Sequence, residues 1–159
     1  MNSPAALMFT DNTEVIRFFV PGDPLGKGRP RSSSTGHMYT PAKTVAYESL
    51  VALTGHQAMA GRPPLLGPVD VAMRIWVKIA PSWPKTKQSA ALAGTIFPAS
   101  RPDADNVIKA LFDGMNGTVW KDDVQVVSVH MSKRYSQVPG VDVTVLPAGA
   151  LLTPSGILA

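Results

Sequence analysis

Five of the eleven acidic residues in the chain fall between Arg101 and Gln125, at Asp103, Asp105, Asp113, Asp122 and Asp123. The chain as a whole is basic, with a formal net charge of +4 and a sequence pI near 9.6. Carboxylates gathered at close quarters repel one another, and a bound divalent cation relieves that repulsion. Oxygen-only ligation by two or three aspartates suits Mg²⁺, with Mn²⁺ able to substitute, because both keep several waters and bind phosphate oxygens. A basic surface around such a site suits a polyanionic substrate. The residues therefore point to metal-dependent chemistry on nucleic acid, with an ion that activates water and stabilises the charge of phosphodiester attack.

Each of these residues also has a plainer use. Asp103 and Asp105 flank a predicted helix start, where free N–H groups and the helix dipole favour negative charge, so a lone aspartate there serves equally as an N-cap. Lys109 stands four residues after Asp105 on the same helical face. It can neutralise a carboxylate or a phosphate, or form a surface pair of a few tenths of a kcal/mol. Asp122 and Asp123 precede a predicted strand. Adjacent residues entering a strand point to opposite sides, so one of the two is expected to face Asp103 and Asp105; a solvated acidic turn is the alternative. Lys27, Arg29 and Arg31 alternate with glycine and proline, which suits a loop that tracks phosphates as well as a solvated one. With Arg101, at the head of the acidic run, they form the candidate DNA-contacting set. His37, His56 and His130 are scattered without metal-ligand spacing. Trp76, Trp83 and Trp120 suit the core or an interface, and Trp83, in a proline-rich loop, also suits DNA contact.

The elements that must position these groups follow from periodicity. Residues from Glu14 to Val20 are β-branched and aromatic and read as a strand. Thr40 reads as an N-cap with Pro41 at the first helical position, and the helix should run to about Ala60 with Val45, Leu50, Leu53 and Met59 as its apolar contacts. Gly61-Arg-Pro-Pro stops it. From Val69 to Ile79 the odd positions are apolar while Asp70, Arg74 and Lys78 share the other face with Ala72 and Trp76. Lys85 to Ala93 reads as a short helix with Ser82 or Thr86 near its start. Asp105 to Met115 carries an apolar stripe of Ile108, Leu111, Phe112 and Met115, closed by Asn116-Gly117. Val124 to Tyr135 is a strand with Val127, Val129 and Met131 facing inward, and Val141 to Leu146 alternates likewise. The fold class is α/β (α+β): a single mixed sheet with two main helices packed on it.

Composition bounds the rest. A chain of 159 residues, 45% hydrophobic, is expected to form one domain over residues 14–147, with an N-terminal extension at 1–13 and a mobile apolar tail at 148–159. No apolar run approaches the roughly 20 residues that cross a bilayer, and the N-terminus has no basic segment of a secretory signal. The absence of cysteine excludes disulfides, zinc–thiolate sites and thiol catalysis. A cytoplasmic location, in a bacterium or for a phage protein in its host, is expected, with no membrane and no small-molecule cofactor.

The run Arg101-Pro-Asp-Ala-Asp-Asn-Val-Ile-Lys-Ala-Leu-Phe-Asp113, followed by Gly117-Thr-Val-Trp-Lys-Asp-Asp-Val-Gln-Val-Val127, closely resembles the signature of RusA-like Holliday-junction resolvases. Pro21-Gly-Asp-Pro-Leu-Gly-Lys-Gly-Arg-Pro-Arg31 and Tyr39-Thr-Pro41 resemble the opening of that family, so the likeness spans residues 15–146. Both aspartate clusters together with the lysine are specific; each alone is not. The resemblance implies that Asp103, Asp105 and Asp123 bind metal and that Lys109 is the essential lysine, with Asp122 the neighbouring acid of the second cluster. It implies a homodimer that uses Mg²⁺ or Mn²⁺ to place symmetric nicks across a four-way DNA junction in recombination and repair, in a family frequent in phages and prophages. A two-fold junction calls for two identical sites, which a closed dimer supplies. The strands Val124 to Met131 and Val141 to Val145 are the apolar surfaces offered to a partner. The chain departs from the family in its longer N-terminus, its connection from Ala80 to Ser100 and its apolar tail. Two rivals stand beside this reading: a non-catalytic DNA-binding module, and a metal-dependent nucleotide hydrolase or transferase. The second normally carries a glycine-rich phosphate loop, which Gly22, Gly26 and Gly28 do not form.

Overall fold

A computed structural model of the chain describes residues 15–149. The extension at 1–13 and the tail beyond Gly149 lie outside those residues. Four strands form one mixed sheet: β1 (Ile16–Pro21), β4 (Val69–Lys78), β5 (Val126–Ser136) and β6 (Gly140–Pro147), in the order β1-β6-β4-β5. β6 is antiparallel to both β1 and β4, while β4 and β5 run parallel. A parallel pair needs a long crossover, and the chain spends it on α2 (Lys85–Leu92) and α3 (Ala104–Met115). A small hairpin of β2 (Arg31–Ser32) and β3 (Met38–Tyr39) precedes α1 (Ala42–Met59). Two-residue strands carry no period, so nothing in the sequence marks this hairpin.

The two long helices cover one face of the sheet. Val51 of α1 and Val107, Leu111 and Met115 of α3 are buried in one core with Val71, Met73 and Ile75 of β4 and Val141, Val143 and Val145 of β6. The helices cross where α3 has no side chain to intrude: a Cβ on Gly114 would lie 2.6 Å from Val51 Cβ and 2.8 Å from the Glu48 carbonyl oxygen. Trp120 is fully buried beneath α3 and donates its indole N–H to Asn116 Oδ1 at 2.6 Å.

Several expectations are corrected. Pro41, not Thr40, is the N-cap of α1, and it contributes no side-chain bond. Val45 and Leu53 of α1 are exposed; Thr44, Tyr47, Val51, Gly55 and Met59 face the core instead, a stripe too mixed in polarity to read from hydropathy. α2 starts at Lys85 as expected, but its N-cap is Pro84, which makes no side-chain bond, and neither Ser82 nor Thr86 caps it. Residues Asp123–Gln125 form a 3₁₀ turn, so β5 begins at Val126. Val127 and Val129 are exposed, at 63% and 44%, because β5 is an edge strand that the helices do not reach across. β6 lies between β1 and β4 with its valines buried, which removes it as a surface for a partner.

Candidate active site and nucleic-acid groove

The loop of residues 22–30 leaves β1 and lies against the first turns of α1 and α3. Glycine is what lets it approach. A Cβ on Gly26 would lie 3.0 Å from Asn106 Cβ, and one on Gly28 would lie 2.9 Å from Thr44 Oγ1. The backbone N–H of Lys27 donates to the Asn106 carbonyl at 2.9 Å, and that of Gly28 donates to Thr44 Oγ1 at 3.1 Å. The loop is thus fastened to the starts of both helices.

Two adjoining clefts open beside it. The first, of about 690 Å³, is lined by Lys27, Arg29, Arg101, Asp103 and Asn106 among others. The second, of about 490 Å³, is lined by Arg29, Asp103, Asp105 and Lys109 with the same loop. Asp103 occupies the N-cap position of α3, yet its side chain makes no capping bond; among the described residues it accepts a single long bond, from Asn106 Nδ2 at 3.4 Å. Lys109 Nζ lies 3.8 Å from Asp105 Oδ2, with both side chains mostly exposed. Asp103, Asp105 and Lys109 therefore present their charge to the groove and not to the fold. Arg31 stands on β2, exposed.

The turn that carries Arg101 and Asp103 is held from below. Lys133 on β5 donates its ammonium to the carbonyls of Ser100 and Pro102, at 2.5 and 2.9 Å. No sequence signal marked Lys133, because it acts on backbone atoms thirty residues away in the chain.

The second acidic group is built differently. Asp122 is a cap: its Oδ1 accepts the N–H of Val124 at 3.1 Å, while Gln125 Oε1 accepts the N–H of Asp122 at 3.0 Å. Asp123 has its carboxyl raised above the usual aspartate range, chiefly by burial, with the charges of Asp122 and Asp113 pushing the same way and Asn116 opposing them. Asp113 lies eight residues beyond Asp105, about 12 Å further along the α3 axis. Asp123 therefore sits by the far end of α3. Among the described residues no three histidine, cysteine or carboxylate side chains are grouped to hold a metal ion. Within one chain Asp103 and Asp105 share a groove, and Asp123 does not join them in one cluster as the sequence suggested.

Lys27 is also placed unexpectedly. Its ammonium is paired with Asp113 and lies 3.9 Å from Glu48 Oε1. The bond to Asp113 raises the Lys27 pKa, and burial raises that of Glu48. Asp113 belongs to the acidic run but carries no role by its spacing, and Glu48 does not differ in sequence from an ordinary helical acid. Of the four candidate DNA-contacting residues, Arg29 and Arg101 line the clefts without an ion pair among the described residues.

Magnesium is held in proteins by one or two carboxylates, with water and substrate phosphate completing its shell. Exposed Asp103 and Asp105, engaged only by long contacts to Asn106 and Lys109 among the described residues, fit that requirement. Comparison with known proteins agrees with the geometry. The family model Endodeoxyribonuclease RusA matches residues 21–146. The Bacillus subtilis (strain 168) protein YqaN, itself uncharacterized, is 35% identical over 144 residues, covering 86% of this chain and 99% of its own length. The matched stretch contains the loop, both acidic groups, β2 to β5 and all of β6 but its last residue, while β1 falls outside it except for Pro21, and the chain belongs to the RusA endodeoxyribonuclease family.

Proposed function

We propose that the protein is a structure-selective endodeoxyribonuclease that resolves four-way DNA junctions by paired symmetric nicks, with Mg²⁺ (or Mn²⁺) held by carboxylates. The observation that carries this reading is the groove in which Asp103, Asp105 and Lys109 stand open beside Arg29 and Arg101. A pure binder of phosphates gains nothing from two exposed carboxylates at that place, and a nucleotide hydrolase would need a phosphate loop the chain lacks.

Arg29 and Arg101 attract and orient the DNA backbone, since guanidinium groups bind phosphate oxygens in a fixed fork. Asp103 and Asp105 hold the ion, which when bound supplies Lewis-acid stabilisation of the phosphate and an activated water. Lys109, one helical turn from Asp105, offsets the negative charge that grows on the scissile phosphate. Asp122 and Asp123 belong to this reading as acids at the other end of α3. A homodimer supplies two such sites, and the exposed Val127 and Val129 on the β5 edge are the surface best suited to join two copies.

Gel mobility and cleavage with a labelled four-way junction, a duplex and a single strand, each with and without Mg²⁺, test the proposal. Preferential junction binding with Mg²⁺-dependent nicking is expected. Equal binding to all three without nicking would establish the binding module instead, and nucleotide hydrolysis without DNA binding would establish the other rival.

A further inference from the structure

The face of the sheet turned away from α1 and α3 has its own charge pattern. Strand alternation places Arg17 of β1, Arg74 and Lys78 of β4 and Arg134 of β5 on it. The acids on that face are Asp142, opposite Arg74, and Asp70, which is 1% exposed and accepts the N–H of Gly149. The Asp142 carboxylate is taken by the indole N–H of Trp76 at 2.6 Å. Among the described residues no salt bridge includes Arg74 or Arg134.

A groove of about 400 Å³ runs across this face, between the end of α2 and the two strands, lined by Arg74, Trp76, His130, Ser132, Arg134 and Tyr135. Aromatic rings support the cations in it: the Arg74 guanidinium lies 5.5 Å from the Trp76 ring centre and that of Arg134 lies 4.8 Å from Phe97. Stacking of this kind fixes a guanidinium in direction while leaving its N–H edge free to meet an anion. Arg134 spends one N–H on the Lys133 carbonyl, at 2.8 Å, and keeps the others. Fixed arginines that no ion pair among the described residues engages, with hydroxyl and imidazole donors between them, suit a phosphodiester backbone.

We infer that this open sheet face is a second, non-catalytic DNA-backbone site, which holds an arm of the branched substrate other than the one entering the Asp103 groove. The Asp103 groove lies by the starts of α1 and α3, on the helix side of the sheet, and this groove lies on the other face, so separate arms of a junction can occupy the two. The inference rests on the branched-DNA reading above.

Fluorescence anisotropy of a labelled four-way junction across a salt series tests it, with the Arg74→Ala/Arg134→Ala double variant compared with the full wild-type chain. Each phosphate contact contributes about 0.9 to the slope of log K against log salt. The double variant is expected to lose roughly 1.8 from that slope and to bind more weakly, while its nicking rate at saturating protein stays at the wild-type value. The Arg74→Lys/Arg134→Lys variant keeps the charge and should keep most of the slope. An unchanged slope in the alanine variant overturns the second site. Equal loss in the lysine variant also overturns it, because packing against Trp76 and Phe97 would then be the cause. A wild-type protein that nicks the junction while the alanine slope is unchanged removes this inference alone. A wild-type protein that does not bind DNA removes the functional reading with it.

Discussion

The ammonium of Lys27 is paired with the carboxylate of Asp113, joining the loop after β1 to the second half of α3. A lysine committed in this way neutralises little phosphate. Lys27→Ala is expected to leave the salt dependence of junction binding nearly unchanged, whereas Arg29→Ala should lower its slope by about 1. The lost pair, about one-third exposed at both ends, should cost roughly 0.2–1 kcal/mol of stability. A salt titration of both variants beside thermal melts checks the contrast.

Asp103→Asn and Asp105→Asn should each lower junction cleavage at least about a hundredfold, the equivalent of ~2.7 kcal/mol in the barrier. Binding should hold or strengthen, because a carboxylate that repels phosphate is gone. Asp123→Asn is expected to lose cleavage too, on the sole ground that Asp123 matches a metal-binding acid of the family's signature. Single-turnover cleavage with Mg²⁺ and anisotropy without it separate the two effects. Wild-type cleavage by any of these variants takes that residue out of the catalytic set.

Lys109→Ala should lose cleavage and keep its melting temperature. Its contact with Asp105, at 3.8 Å between exposed groups, is worth a few tenths of a kcal/mol. Normal cutting by this variant would reduce the lysine to a surface pair.

Dimerisation through the β5 edge predicts that Val127→Lys or Val129→Lys yields a folded monomer, since a charge on an apolar strand edge opposes pairing. Sedimentation of the variants against the wild type, free and junction-bound, provides the measurement. A monomeric wild type in both states would end the paired-nick mechanism.

Burial holds the Tyr47 hydroxyl neutral up to about 12, against its ordinary value of 10.0. Between those values the unfolded chain loses a proton that the folded chain keeps, so stability falls as pH rises through that window. The total is roughly 2–3 kcal/mol from this one group. Tyr47→Phe should flatten that part of the curve, which denaturant titrations at pH 9 to 12, on the order of one unit apart, would reveal.

The sheet and the two main helices were legible because β4, β6 and α3 carry clean periods and few competing signals. The acid pair and Lys109 were legible for a similar reason: i, i+2 and i+6 spacing at one helix start fixes their neighbourhood. What escaped the reading depends on contacts across the chain. Lys27 looks like its neighbours Arg29 and Arg31 until α3 brings Asp113 to it. Val127 and Val129 alternate as core residues do, and only the strand order shows that no helix covers them. The separation of Asp123 from Asp103 comes from the length of α3, which the sequence does show, combined with the direction of the turn after it, which it does not.

Lys133 stands on the strand at the outer margin of the sheet and grips the turn that bears Arg101 and Asp103. A load on that strand is therefore a load on the turn. If a second copy docks along the same strand, as proposed, the contact between copies and the backbone that carries Asp103 are joined through one ammonium group.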